Sequence, residues 1–301
     1  MSPAKGATYT ILPPATVLTN GTKKETKGLF TADPVTLFVY EPGQAVSGCG
    51  MQLAFQANFT FILSAQSGRA VGNNGFAFVI SATKRVVNGS GMGYGGMDSR
   101  SMAIEFDTLT NKQHGDIKGQ HVGLNIRGQD RLLAAVRLPF VLKNRTPYTA
   151  WVDYEPGEPG TIQVFLAASA VKPAQPLLER RLALCEVLQA GAEQFAFFFG
   201  FVASTTVKPL QAHLILKSAV HTNASWAYAV VASVEAAYGI ALNQQAPRLS
   251  VESLFAAMGL TSPAAKCTAG GSPAAAFQKL LTLPRGGLTT DGKQVGNKTI
   301  I

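Results

Sequence analysis

From Leu53 to Leu63 the chain alternates, with Leu53, Phe55, Ala57, Phe59, Phe61 and Leu63 on one parity and Gln52, Ala54, Gln56, Asn58 and Thr60 on the other. Successive side chains of a strand point to opposite faces, so this period of two gives a strand with one apolar face. Such a strand is not stable alone; it needs paired neighbours and a second layer against its apolar side. Further strand-like segments are Val35–Tyr40, Gly75–Ser81, Ser101–Asp107, Val122–Ile126, Tyr148–Tyr154, Thr161–Ala167, Phe195–Ala203 and Gln211–Lys217. Turn clusters such as Asn73-Asn74-Gly75 and Glu155-Pro156-Gly157 separate them. Many strands and few helical stretches predict an all-β sandwich.

The texture changes near Ala219. Between Ala224 and Leu242, Trp226, Val230, Val234, Ala237 and Ile240 recur at threes and fours, a helical spacing. Two more helix-like stretches, Val251–Met258 and Pro273–Leu281, follow Ser250 and Ser272, residues suited to cap a helix start. We therefore divide the chain into residues 1–217, a β-sandwich, and residues 218–301, a small mainly α segment.

The formal charge of +9 on 301 residues invites a nucleic-acid reading. The basic residues are spread thinly, with adjacent pairs such as Lys23–Lys24 and Arg180–Arg181, and no aromatic platform accompanies them. A mildly basic solvated surface is expected instead, without a nucleic-acid partner. No apolar run reaches the ~18 residues of a transmembrane helix. Six Asn-x-Ser/Thr sequons begin at Asn20, Asn58, Asn88, Asn144, Asn223 and Asn297. Eleven asparagines at ordinary Ser and Thr abundance would yield about two by chance. That excess predicts a secreted or secretory-pathway protein. Met1 to Thr10 show no signal peptide, so an incomplete amino terminus is expected. Cys49, Cys185 and Cys267 form no paired framework and lack zinc-cluster spacing. They read as buried free thiols or as the remnant of a disulfide pattern.

The chemistry concentrates between Ile104 and Gly123. Glu105 and Asp107 stand two apart on a strand and project to one side. Asn111, Asp116 and His121 follow in or just beyond the next loop, which can fold back over the strand end. Hard carboxylate and amide oxygens suit Ca²⁺, and the imidazole suits a smaller transition ion such as Mn²⁺.

Glu-x-Asp, then Asn, Asp and His, at offsets of 2, 6, 11 and 16 from Glu105, resembles the paired-metal loop of legume (L-type) lectins. The order of other segments agrees: Gly28 to Leu37, Gly75-Phe76-Ala77-Phe78-Val79, the glycine-rich Gly91 to Gly96, Trp151 to Tyr154, and Gly200 to Ser204. The resemblance implies a legume-lectin-like antiparallel β-sandwich, or jelly roll, binding glycans or glycoproteins with Ca²⁺ and Mn²⁺ as cofactors. It leaves open a homodimer through the lectin sheet. It assigns Asp107 and Asp116 to bridge the ions, Asn111 and the Leu109 carbonyl to the calcium, and Glu105 and His121 to the transition metal. It places the sugar against Asn74, a backbone N–H near Gly91, Leu109 and Asn111. Two positions depart from the family pattern. Asn74 stands where an Asp accepts two sugar hydroxyls, and charge-assisted hydrogen bonds are roughly twice as strong as neutral ones. Leu109 stands where an aromatic ring stacks on the sugar. Intact metal sites with weakened sugar binding are therefore expected.

Ala224 to Glu235 resembles the nucleophile helix of papain-like cysteine proteases, and residues from Leu249 to Gly292 continue the likeness to that family's left, helical lobe. Ser225 occupies the position of the nucleophilic cysteine, and a serine does not form the thiolate–imidazolium pair. Ala219 occupies the position of the oxyanion-donor Gln. All four histidines, at 114, 121, 213 and 221, precede Ser225, whereas that family's catalytic His follows its nucleophile in a second lobe. No catalytic residue is expected and the protein is read as a non-enzyme. The alternative is an inactive or truncated relative of a lectin-linked papain-like protease.

Overall fold

The computed structural model describes residues 9–39, 51–65, 75–88, 91–110, 117–127, 131–191, 195–205 and 210–222. In chain order the strands are β1 (Tyr9–Thr10), β2 (Thr16–Asn20), β3 (Glu25–Phe30), β4 (Val35–Thr36), β5 (Phe38–Val39), β6 (Met51–Gln52), β7 (Phe55–Ala65) and β8 (Phe76–Ser81). They continue as β9 (Ser101–Asp107), β10 (His121–Ile126), β11 (Arg131–Arg137), β12 (Tyr148–Glu155), β13 (Gly160–Ala167), β14 (Leu178–Leu182), β15 (Ala196–Thr205) and β16 (Gln211–Thr222). One short helix, α1 (Leu184–Val187), stands among the described residues.

Among these residues fourteen strands form two seven-stranded antiparallel sheets, and β5 pairs with β6 in a separate two-stranded one. The back sheet runs β1-β16-β7-β12-β13-β14, with β2 also on β16. The front sheet runs β11-β10-β9-β8-β15-β3, with β4 also on β15. The alternation of β7 explains the join. Phe55, Ala57, Phe59, Phe61 and Leu63 are fully buried on its inner face. Phe59 meets Phe78, Phe106 and Phe201 of the front sheet with ring centroids 5.3, 5.7 and 4.9 Å away. Such interdigitation of two inner faces is what holds a sandwich.

β8, β9 and β10 are buried along their whole length, on both faces. Their outer side is covered by a second apolar cluster in which Met92, Tyr94 and Met97 pack on Ala77, Val79, Ala103 and Val202. Continuous apolar stretches such as Phe76-Ala77-Phe78-Val79-Ile80 record that double burial.

The longer predicted strands are present. Val35–Tyr40 contains two short strands, β4 and β5, and β1, β2, β6, β11 and β14 were not anticipated. β14 hides from a hydrophobic pattern because Glu179, Arg180 and Arg181 are exposed between Leu178 and Leu182. Charges of this kind discourage edge-to-edge association. β16 continues past Lys217, and Thr222 pairs with Phe55, so residues 218–222 complete the back sheet. The predicted helices beyond 222 lie outside the described residues. Cys185, 3% exposed, is disulfide-bonded, so the free-thiol reading fails for it. Its partner lies outside the described residues. A pairing between cysteines remote in sequence is set by the fold and leaves no spacing to read.

Candidate functional site

β9 sends Ile104 and Phe106 into the core and Glu105 and Asp107 to the opposite side. In register, Glu105 stands between Ala77 of β8 and Gly123 of β10, and Asp107 faces His121. Small neighbours leave space for the carboxylate. A Cβ on Gly123 would lie 2.2 Å from Glu105 Oε1, so any side chain there would displace it.

The glycine-rich segment folds over this face. Gly91–Gly93 forms a 3-10 turn with Met92 at φ 55°, closed by Tyr94 N donating to the Gly91 carbonyl at 3.0 Å. The turn lays Tyr94 onto the sheet, 1% exposed, where its hydroxyl donates to Glu105 Oε2 at 2.5 Å.

His121 is fully buried and Glu105 is 1% exposed. Nδ1 of His121 lies 3.1 Å from the Gly119 carbonyl, and Nε2 lies 3.4 Å from Glu105 Oε1. Burial opposes a charge on His121. Glu105, the Gly119 carbonyl and the charge of Asp107 outweigh it and push the imidazole up to about 9. A carbonyl partner on Nδ1 directs Nε2 at the carboxylate, an arrangement common to metal-ligating histidines. The 3.4 Å gap exceeds the 2.7–2.9 Å typical of a charge-assisted hydrogen bond. Two donors each about 2.1 Å from a common ion stand roughly 3.0–3.6 Å apart at ordinary coordination angles. Glu105 Oε1, which closes no hydrogen bond, and His121 therefore fit a shared transition ion.

Beyond β9 the chain turns sharply. Asp107 Oδ1 accepts from Leu109 N at 2.6 Å, and Leu109 is half-buried. Lys143, 8% exposed, donates from Nζ to the Thr108 carbonyl at 3.4 Å. Burial lowers its pKa, and the negative charge of Asp107 works against that shift. Thr110 Oγ1 accepts from Gly119 N at 2.9 Å, which joins the two ends of the loop that carries Asn111 and Asp116.

Gly75 adopts φ +77°, and a Cβ there would sit 1.9 Å from the Phe106 carbonyl oxygen, so glycine is required. Its N–H donates to Gln211 Oε1 at 3.3 Å, and the same oxygen lies 3.5 Å from Thr108 Oγ1. Gln211, fully buried at the start of β16, thus braces both the turn after residue 74 and the turn into Leu109. His213 follows on the same face, with Nδ1 2.6 Å from Thr19 Oγ1. Burial pushes it down to about 3, against the pull of the Gly75 backbone.

The structure pairs Glu105 with His121, sets Asp107 opposite His121 in the strand register, and puts Leu109 on the adjoining turn. Gly91 begins the turn that seats Tyr94. Asn74, Asn111 and Asp116 lie outside the described residues. Among the described residues no group of three or more His, Cys, Asp or Glu side chains is gathered to hold an ion. Sequence reasoning missed Tyr94, Lys143 and Gln211 as site residues. Tyr94 had one legible signal, a large aromatic among glycines. Lys143 and Gln211 come from distant strands and had none.

A family model described as the legume lectin domain matches residues 10–229. A lectin-like protein of Arabidopsis thaliana is 31% identical over 168 residues, covering 47% of this chain and 60% of that protein. An Arabidopsis L-type lectin-domain containing receptor kinase, S.6, is 30% identical over 152 residues, covering 49% of this chain and 22% of its own. The matches thus span about two-thirds or less of these relatives. Among solved structures, peanut lectin with a nine-residue peptide superposes with a TM-score of 0.55 at 20% identity, covering 73% of this chain and 92% of that one. Lectin UEA-II complexed with galactose gives 0.54 at 17% identity, covering 72% and 98%. At these identities the structural likeness concerns the fold alone.

Proposed function

Because this chain belongs to the legume lectin domain family, we propose that it binds glycans or glycoproteins at the Asp107 end of the front sheet and performs no catalysis. The observation that carries the reading is the buried Glu105–His121 pair beside Asp107, roofed by the turn from Gly91 to Tyr94. Glu105 and His121 would hold a transition ion such as Mn²⁺. Asp107 and Asp116 would bridge it to a Ca²⁺ completed by Asn111 and the Leu109 carbonyl. Bound ions would supply positive charge that fixes the loop ends.

The chain's own residues do the rest. Gly75 permits the turn into β8, Gln211 ties that turn to Thr108, and Leu109 would offer apolar area to a sugar ring. Asn74, Asn111 and a backbone N–H near Gly91 would meet the hydroxyls. The sequons and the disulfide at Cys185 both support passage through an oxidising secretory compartment. In the described residues no helix is long and apolar enough to cross a membrane. A homodimer through the lectin sheet would use an open edge of the sandwich. Residues 223–301, with Ser225 at the nucleophile position, would add no peptidase activity.

A glycan array run with and without chelator, alongside metal analysis of the purified protein, tests the reading. Chelator-sensitive glycan binding with Ca²⁺ and a transition ion present is expected. Binding unaffected by chelation in a metal-free protein would overturn the metal-dependent form.

A further inference from the structure

We propose that Asn20 is an N-glycan acceptor and that Asn58, which begins an equally good sequon, is not. The sequence treats these sites alike; the backbone does not. Asn20 is exposed at the end of β2, where Asn20-Gly21-Thr22 turns with Gly21 at φ +72°. Its Oδ1 accepts from Thr22 N at 2.9 Å and from Thr22 Oγ1 at 2.6 Å, and among the described residues no hydrogen bond holds its Nδ2. The sequon hydroxyl thus lies on the amide it has to assist, on an exposed residue.

This turn is local. Asn-Gly is a strong turn former, and Asn side chains cap their own backbone two residues on. The geometry is therefore accessible in a nascent chain before any sheet forms. Asn58 is the opposite case. It is half-buried in mid-strand, paired with Trp151 on one side and Ala219 on the other. Thr60, the hydroxyl of its sequon, is 8% exposed and lies 3.1 Å from Thr149 Oγ1. Extended residues two apart hold their side chains about 7 Å from one another, so this sequon does not fold its hydroxyl onto its amide. Asn144 is intermediate: it caps Thr146 N at 2.9 Å, but its Nδ2 donates to Tyr148 Oη at 3.1 Å.

The co-reactant is a lipid-pyrophosphate-linked oligosaccharide of the secretory pathway. Asn20 Nδ2 forms a bond to its anomeric carbon, the lipid pyrophosphate leaves, and the amide nitrogen loses one proton. Asn20 pairs with Ala212, next to the Gln211 brace, so the glycan would stand at the site end of the sandwich.

The proposal rests on the secretory part of the reading above but not on glycan binding. The full chain is secreted from a eukaryotic host behind an added signal peptide, and sequon occupancy is measured by glycopeptide mass spectrometry. Asn20 is expected to be occupied in most molecules, Asn144 in fewer and Asn58 in almost none. Asn20→Gln and Thr22→Ala should each remove one glycan's mass, Thr22→Ser should retain it, and Asn58→Gln should change nothing. An unmodified Asn20 in secreted protein, or Asn58 occupied to the same extent, overturns the proposal. The added leader makes the outcome independent of the natural address, and the result does not depend on whether the site binds sugar.

Discussion

His121 and His213 are both fully buried, yet their surroundings drive them to opposite charge states. His121 sits under the glycine-rich turn with Glu105 and Asp107 and is pushed up to about 9. His213 sits where β16 meets β2, among Thr19, Gly75 and Phe76, and is pushed down to about 3. Burial opposes charge in both places; at His121 the front-sheet carboxylates and the Gly119 carbonyl reverse its effect. One region of the sandwich is built to carry a proton or a cation. The other is built to keep a polar seam neutral beneath the same turns.

Removing the charge that organises the first region should have the largest effect. Asp107→Ala leaves His121 and Lys143 without their shared counter-charge. Breaking a buried charge arrangement in this way costs about 3–5 kcal/mol. Denaturant unfolding should show that loss, and metal analysis should show neither Ca²⁺ nor transition ion. Unchanged metal content would remove Asp107 from the site.

Lys143→Met should be milder, because the side chain keeps its length while losing its charge and its bond to the Thr108 carbonyl. About 1–3 kcal/mol is expected in chelator, and less with Ca²⁺ present to neutralise Asp107. Equal losses in both conditions would show that Lys143 supports the turn without compensating its charge.

The two histidines should also give opposite pH dependences in the chelated protein. The folded pKa of His213 lies below its ordinary 6.5, so between about 3 and 6.5 the unfolded chain binds more protons. Its contribution is present above 6.5 and is lost as the pH falls towards 3. The folded pKa of His121 lies above 6.5, so its contribution is full below 6.5 and is lost as the pH rises to about 9. Each slope is at most about 1.4 kcal/mol per pH unit. His213→Asn should flatten the acid limb alone and His121→Asn the alkaline limb alone. Stability curves in which either variant changes both limbs would end the contrast.

The smallest expected effect is on sugar affinity. Asn74→Asp restores a charged acceptor and should tighten binding of a recognised sugar by on the order of 1 kcal/mol, roughly fivefold. Titration against the best array ligand measures it. Equal or weaker binding with metals retained would mean a remodelled pocket.

Much of this was legible in the chain itself. The alternation through β7 required a two-layer β fold, and the Glu-x-Asp spacing in β9 put two carboxylates on one side of a strand. Both are local consequences of the period of two. Gly75 could be anticipated as a turn residue, although its reason, the Phe106 carbonyl pressed against it, belongs to the neighbouring strand. The tertiary structure decided what those carboxylates experience. It brought in the hydroxyl of Tyr94, the ammonium of Lys143 and the amide of Gln211, and it set Cys185 in a disulfide. It set Asn58 in mid-sheet and separated one histidine from another. Each of these depends on contacts between residues remote in sequence, and such contacts leave no periodic trace in the residues that make them.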